Sequence, residues 1–243
     1  MILRMGTILV AHGAWSAGWA WRKMRPLLRG RGHELITPTY TGLGERGHLA
    51  SREVGLETHV RDVLAVLEVE DLRDVVLVGH SYGGMVATVV ADRAPERVAQ
   101  LVYLDAFVPA DGQSLFDLQP PKARDRMRES ARTDGDGWRV PPNPPPPDTS
   151  EADLAWVLPR RVMQPLKAFE EPARLTGAGA HLPRTYIYST RLAPGDVFGQ
   201  FARRARGEPG WRYVELDASH SPNVTAPDAL AALLDEVARP RRG

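Results

Sequence analysis

The sequence predicts an α/β protein with a mainly parallel six-stranded sheet and helices on both faces. Three observations carry this. Six short apolar runs recur along the chain, at 7–11, 33–38, 75–79, 99–104, 185–189 and 211–216. Segments with helical periodicity lie between them; in 56–68, Val60, Val63, Leu64 and Leu67 follow the 3.6-residue repeat. The runs are nearly continuous in apolar residues, as expected of strands covered on both faces.

The elements follow in order. Thr7 to Ala11 is the first strand, and 20–29 is a helix with Trp21, Met24, Leu27 and Leu28 apolar. The second strand is 33–38, followed by the helix at 56–68. Strand 75–79 leads into helix 84–93, and strand 99–104 comes next. Strands 185–189 and 211–216 close the sheet, and 226–239 is the last helix. Pro227 sits near its start, where a missing N–H is tolerated. Active sites in such sheets lie at the carboxyl ends of the strands.

Residues 110–183 break this rhythm. No convincing strand occurs there, and 141–147 reads Pro-Pro-Asn-Pro-Pro-Pro-Pro, a stiff extended tract. Helices are expected at 151–158 and 160–169, and the charged, proline-rich stretch 111–148 is expected to be partly unordered. An insertion of this size at the catalytic edge reads as a helical cap within one domain spanning 1–243.

Composition narrows the function. Lys and Arg total 31 against 30 for Asp and Glu, so no nucleic-acid bias appears. Cysteine is absent, which excludes disulfides, thiolate catalysis and cysteine-bound metal. No histidine and carboxylate spacing suggests a metal site, and no cofactor is expected. No signal-peptide pattern and no membrane-length apolar run is present, so the expectation is a soluble cytoplasmic protein. Its expected partner is a small-molecule substrate; a homodimer is compatible with the sequence.

Gly79-His80-Ser81-Tyr82-Gly83 carries the chemistry. It reads G-x-S-x-G between an apolar strand and a helix, the setting of a nucleophile elbow. A serine hydroxyl needs a base. Of seven histidines, His220 follows the last strand and comes after the nucleophile and both candidate acids in the chain. His80 is expected to turn back toward the sheet, His12 to support the loop after the first strand, and His33 and His59 to be ordinary surface or helix residues. The acid that orients His220 is either Asp105, directly after the fourth strand, or Asp196, farther beyond the fifth. Asp105 is preferred because a strand terminus is a rigid position.

The oxyanion needs preorganised N–H donors. Tyr82 N–H, just after the nucleophile, is one candidate and Ala14 N–H is the other. Gly13 permits the tight path of that loop. Gly13, Trp15 and Phe107 are the expected pocket residues. Gly42-x-Gly44-x-x-Gly47 matches a dinucleotide fingerprint only weakly, since it follows the second strand.

These stretches together resemble the α/β-hydrolase superfamily, across nearly the whole chain. They are similar to the branch of small bacterial esterases, plant methylesterases and hydroxynitrile lyases. His12-Gly13-Ala14-Trp15, Thr41-Gly42-Leu43-Gly44-Glu45-Arg46, Val78 to Gly84 and Leu101 to Pro109 carry the resemblance. It implies the α/β-hydrolase fold with a helical cap and a Ser-His-acid triad without cofactor. Lyases of the branch have threonine after the first-strand histidine and lysine after the catalytic histidine. Here those positions are Gly13 and Ser221, which argues for ester chemistry. The usual acid of the branch lies soon after the fifth strand, where this chain has Thr190, Arg191 and Leu192, with Asp196 farther on.

The function expected is hydrolysis of a small or medium apolar ester through an acyl-enzyme. Two competing readings use the same residues differently. One is a tailoring enzyme of secondary metabolism that performs cyclisation, elimination or carbon–carbon chemistry. The other is a non-catalytic receptor for a small ligand.

Overall fold

Strand β1 (Gly6–Ala11) shows how the sheet divides the core. In the computed structural model, which describes residues 6–191 and 196–239, Ile8 and Val10 face one side and Leu9 and Ala11 the other. All four are fully buried, as the two-residue period of a strand between two helical layers demands.

The other strands are β2 (His33–Ile36), β3 (Val75–His80), β4 (Val98–Leu104), β5 (Arg139–Val140), β6 (Gln164–Pro165), β7 (Arg184–Ser189) and β8 (Trp211–Leu216). The helices are α1 (Met24–Arg29), α2 (Leu56–Val69), α3 (Gly83–Arg93), α4 (Pro121–Asp134), α5 (Glu151–Val157), α6 (Lys167–Glu170), α7 (Gly199–Gly207), α8 (Pro222–Thr225) and α9 (Pro227–Ala238). The six-stranded sheet has the order β2-β1-β3-β4-β7-β8, and every pairing in it is parallel.

Helices α2 and α3 bury Leu56, Val60, Val63, Leu67, Met85 and Val86 against one face. Helices α1 and α9 bury Met24, Leu28, Leu230 and Leu234 against the other. Each such side chain contributes about 1.5–3 kcal/mol when fully buried. Register then places the chemistry. Ala11 pairs with Gly79, His80 with Leu104, and Leu104 with Ile187. The chain therefore leaves β1, β3 and β4 at one edge, carrying His12, Ser81 and Asp105. No helix among the described residues is long and apolar enough to cross a membrane.

Four local expectations need correction. The helix expected at 20–29 starts at Met24, after a 3-10 turn at Gly18–Trp21. Pro26 is tolerated only in a first turn, so the helix cannot begin much earlier. The helix expected at 160–169 is reduced to α6. Pro165 pushes Gln164 to an extended conformation, and the two form β6. β6 pairs antiparallel with β5, giving strand structure in a segment where none was expected. Finally, α4 lies within the stretch expected to be partly unordered. It starts on Pro121, contains no interior glycine or proline and stops at Gly135. Only Ala131 is buried, so its hydropathy signal is weak.

The segment 110–183 is tied to the sheet domain on two sides. Trp156 of α5 meets Trp19 edge-on at 5.6 Å, and Lys23 pairs with Asp153 at 2.5 Å. On the far side Glu171 accepts the Glu57 N–H of α2 at 2.9 Å.

Candidate active site

Between β3 and α3 only Ser81 and Tyr82 reverse the chain. Ser81 takes φ +56°, a left-handed conformation that side chains disfavour. Its neighbours hold it there. Ser81 N–H donates to Leu104 O at 3.3 Å, and its carbonyl accepts from Gly84 at 3.0 Å and Phe107 at 3.2 Å. A side chain at Gly83 would strike the Ala11 backbone, so only glycine lets α3 approach β1 this closely.

His220 reaches Ser81 from the loop after β8. Its Nε2 lies 3.0 Å from Ser81 Oγ, and its Nδ1 lies 2.6 Å from Asp105 Oδ2. A carboxylate only accepts, so Nδ1 carries the proton and Nε2 is free to accept the serine hydroxyl. Asp105 is buried directly after β4, at φ +43°. Its N–H donates to Ile187 O at 2.8 Å and its Oδ1 accepts from Ser189 N–H at 3.3 Å. Asp196 is engaged elsewhere. It accepts from Tyr188 OH at 2.8 Å, Phe198 N–H at 2.8 Å and Gly199 N–H at 3.0 Å, building the turn into α7.

Two rings enclose the imidazole. Phe198 stacks on it with centroids 4.7 Å apart and planes 12° apart. His80 lies on another side at 5.1 Å, and its Nε2–H donates to the His220 carbonyl at 2.7 Å. Burial pushes the His80 pKa down to about 3, so this donor is neutral and adds no charge beside His220.

The loop after β1 also reaches the elbow. A Cβ on Gly13 would sit 3.1 Å from His80 Nδ1 and 3.2 Å from Ser81 Cβ, so the loop lies directly against the elbow. His12 Nδ1–H holds Gly13 O at 2.9 Å. Among the described residues, Ala14 N–H and Tyr82 N–H donate to no protein acceptor, whereas Trp15 N–H is committed to Gln164 Oε1 at 3.1 Å. Tyr82 N–H directly follows Ser81, and Ala14 N–H directly follows Gly13, which lies against Ser81. Trp15 and Phe107 are both buried; Phe107 packs edge-on against Phe198 at 5.0 Å.

Behind the elbow, Tyr82 OH donates to His59 Nδ1 at 2.7 Å, and His59 Nε2–H donates to Thr41 O at 3.2 Å. Tyr40 is stacked between His12 and His59, at 3.8 Å and 4.7 Å. Burial lowers both histidine pKa values to about 3, which keeps the stack neutral.

The structure joins Ser81, His220 and Asp105 in one hydrogen-bonded chain at the edge of a parallel sheet, with two unpaired backbone N–H groups in the adjoining turns. The profile of the alpha/beta hydrolase family matches residues 8–233. The chain belongs to this family. A carbendazim hydrolyzing esterase of Nocardioides sp. is 41% identical, with the match covering 95% of this chain and 98% of that protein. A pyrethroid hydrolase of Sphingobium wenxiniae is 27% identical over 95% of this chain and 87% of its own length. Among solved structures, an extracellular alpha/beta-hydrolase from a Paenibacillus species superposes with a TM-score of 0.82 at 27% identity, covering 97% of this chain and all of that one. This alpha/beta hydrolase is a carboxylesterase-type enzyme.

Sequence reasoning missed His59, Phe198 and Gln164 around the site of this hydrolase. His59 is a helix residue, as one of the two expectations had it, but a buried one; His33 is a buried strand residue that pairs with Asp235 at 2.8 Å. The spacing of His59 from Leu56 and Val63 puts it on the buried stripe of α2, a signal that could have found it. Phe198 and Gln164 carry no such periodic signal, since Phe198 sits in a turn and Gln164 in a strand of only two residues.

Proposed function

We propose that this alpha/beta hydrolase cleaves a small or medium apolar carboxylic ester through an acyl-enzyme on Ser81. The observation that carries the reading is the unbroken hydrogen-bonded chain from Ser81 Oγ through His220 to Asp105. As Ser81 Oγ attacks the ester carbonyl, its proton passes to His220 Nε2. Ala14 and Tyr82 N–H groups hold the oxyanion of the tetrahedral intermediate. Asp105 accepts from His220 Nδ1–H and stabilises the imidazolium. The imidazolium then protonates the departing alkoxide, leaving the acyl group on Ser81. Water, deprotonated by His220, attacks the acyl-enzyme and releases the acid and Ser81.

In this reading the segment 110–183 is the cap that covers the strand ends and shapes the pocket. Carbendazim is the first compound to assay beside simple esters, because the Nocardioides relative is named for hydrolysing it. The test is turnover of p-nitrophenyl butyrate by the wild type and by Ser81→Ala. Loss of turnover with retained folding supports the assignment, and full activity of Ser81→Ala sinks it.

A further inference from the structure

Trp15 is a bulky residue at φ +57°, a conformation that persists only where its surroundings impose it. Two hydrogen bonds hold it there, and both come from the two-stranded ribbon of the inserted segment. Trp15 N–H donates to Gln164 Oε1 of β6 at 3.1 Å. Its indole Nε1–H donates to Val140 O of β5 at 2.8 Å. Trp15 follows Ala14, so the ribbon grips the chain one residue beyond a free donor at the elbow. The grip on the backbone is a single side-chain atom, and Gln164 is fully buried.

We propose that Gln164 is a positioning residue that sets the oxyanion donor Ala14 N–H by clipping Trp15 to the inserted segment. The proposal rests on the reading of Ala14 and Tyr82 as the oxyanion hole. Accepting from Trp15 N–H does two things. It fixes the direction of the peptide that follows Ala14, and it satisfies the N–H of a buried residue held in a left-handed conformation. Gln164 does more than fill space. Its Nε2 is buried without a protein partner among the described residues, and an unpaired buried donor is costly. A methionine would fill similar space without that unpaired Nε2 but would strand Trp15 N–H instead, so what distinguishes the glutamine is its hold on Trp15.

The test is steady-state kinetics on p-nitrophenyl butyrate with Gln164→Met, alongside thermal unfolding. Full loss of one oxyanion donor costs about a hundredfold or more in kcat, so a misplaced donor is expected to cost about tenfold to a hundredfold. KM should stay within about threefold, since the oxyanion forms only in the transition state. Trp15→Phe keeps a ring but removes the indole donor to Val140, so it should lower kcat in the same sense. That variant carries the test if Gln164→Met does not fold. A folded variant with unchanged kcat, or with its loss carried by KM, overturns the proposal. Failure of the underlying esterase reading is distinct: it would appear as no turnover by the wild type, or as full turnover by Ser81→Ala.

Discussion

Asp105 Oδ2 lies 2.6 Å from His220 Nδ1, and the pair is joined across 115 positions of sequence. The carboxylate is held from its other oxygen by Ser189 N–H, so the imidazole meets an acceptor that is already fixed. Asp105→Asn should therefore lower kcat by about 10²–10⁴, because an amide can turn its N–H to Nδ1 and impose the wrong tautomer. Asp196→Asn should lose less than about tenfold, since its carboxylate supports a turn. Equal losses in the two variants, measured as kcat on p-nitrophenyl butyrate, would contradict this division.

Phe198 gives the imidazole a flat wall. Its backbone N–H is fixed by Asp196 and its ring also meets Phe107 edge-on, so it is held from two directions. Aromatic pairs contribute about 0.5–1.5 kcal/mol beyond area burial. Phe198→Ala should lower kcat about threefold to tenfold by freeing the imidazole, and Phe198→Tyr should restore most of it. A loss that neither Tyr nor Trp at this position recovers would assign Phe198 a role other than ring stacking.

The contrast between Asp105 and Phe198 explains how much of the site was legible in the sequence. Ser81, Asp105 and His220 each follow a strand whose apolar run is plain, and parallel register brings such positions to one edge. Chain order alone left two acids open, because choosing between them needs the direction of a side chain. Phe198 lies in a turn fixed by the contact of Tyr188 with Asp196, and Gln164 lies in a two-residue strand fixed by its pairing with β5, neither of which leaves a periodic pattern in the sequence. The inserted segment was the least legible part. Its helix α4 is nearly all polar, and Pro165 converts an expected helix into strand.

Gly13 tests how closely the loop after β1 must approach Ser81. In Gly13→Ala the new methyl would stand 3.1 Å from His80 Nδ1 and 3.2 Å from Ser81 Cβ. Neither neighbour yields easily, since His80 is pinned to the His220 carbonyl and Ser81 to Leu104 and Phe107. The contact should displace Ser81 or Ala14 by a few tenths of an ångström, with an expected loss of about tenfold or more in kcat. Overpacking should also cost about 1–3 kcal/mol in urea unfolding. A variant with wild-type kcat would show that the loop retreats without disturbing the site.

The buried histidines predict how stability varies with pH. His12, His59 and His80 each have a folded pKa of about 3, lowered chiefly by burial from an ordinary value of 6.5. Between these values the unfolded chain binds protons that the folded chain refuses, so acid favours unfolding. Their contribution is complete above 6.5 and is lost progressively as pH falls toward 3. Each histidine adds a slope of up to about 1.4 kcal/mol per pH unit, or about 4 for the three together. Urea unfolding at pH values from about 7.5 down to 5 should show this loss. Carboxylates such as Asp92, whose pKa is lowered below 3.8 by hydrogen bonds from Thr176, Gly177 and Gly179, act in a more acidic window and do not mimic it. His59→Phe keeps a ring between Tyr40 and Tyr82 but removes one titrating group, so its slope should be about one third smaller. A wild-type stability that stays level from pH 7.5 to about 5 would mean that the stack accepts protons without unfolding.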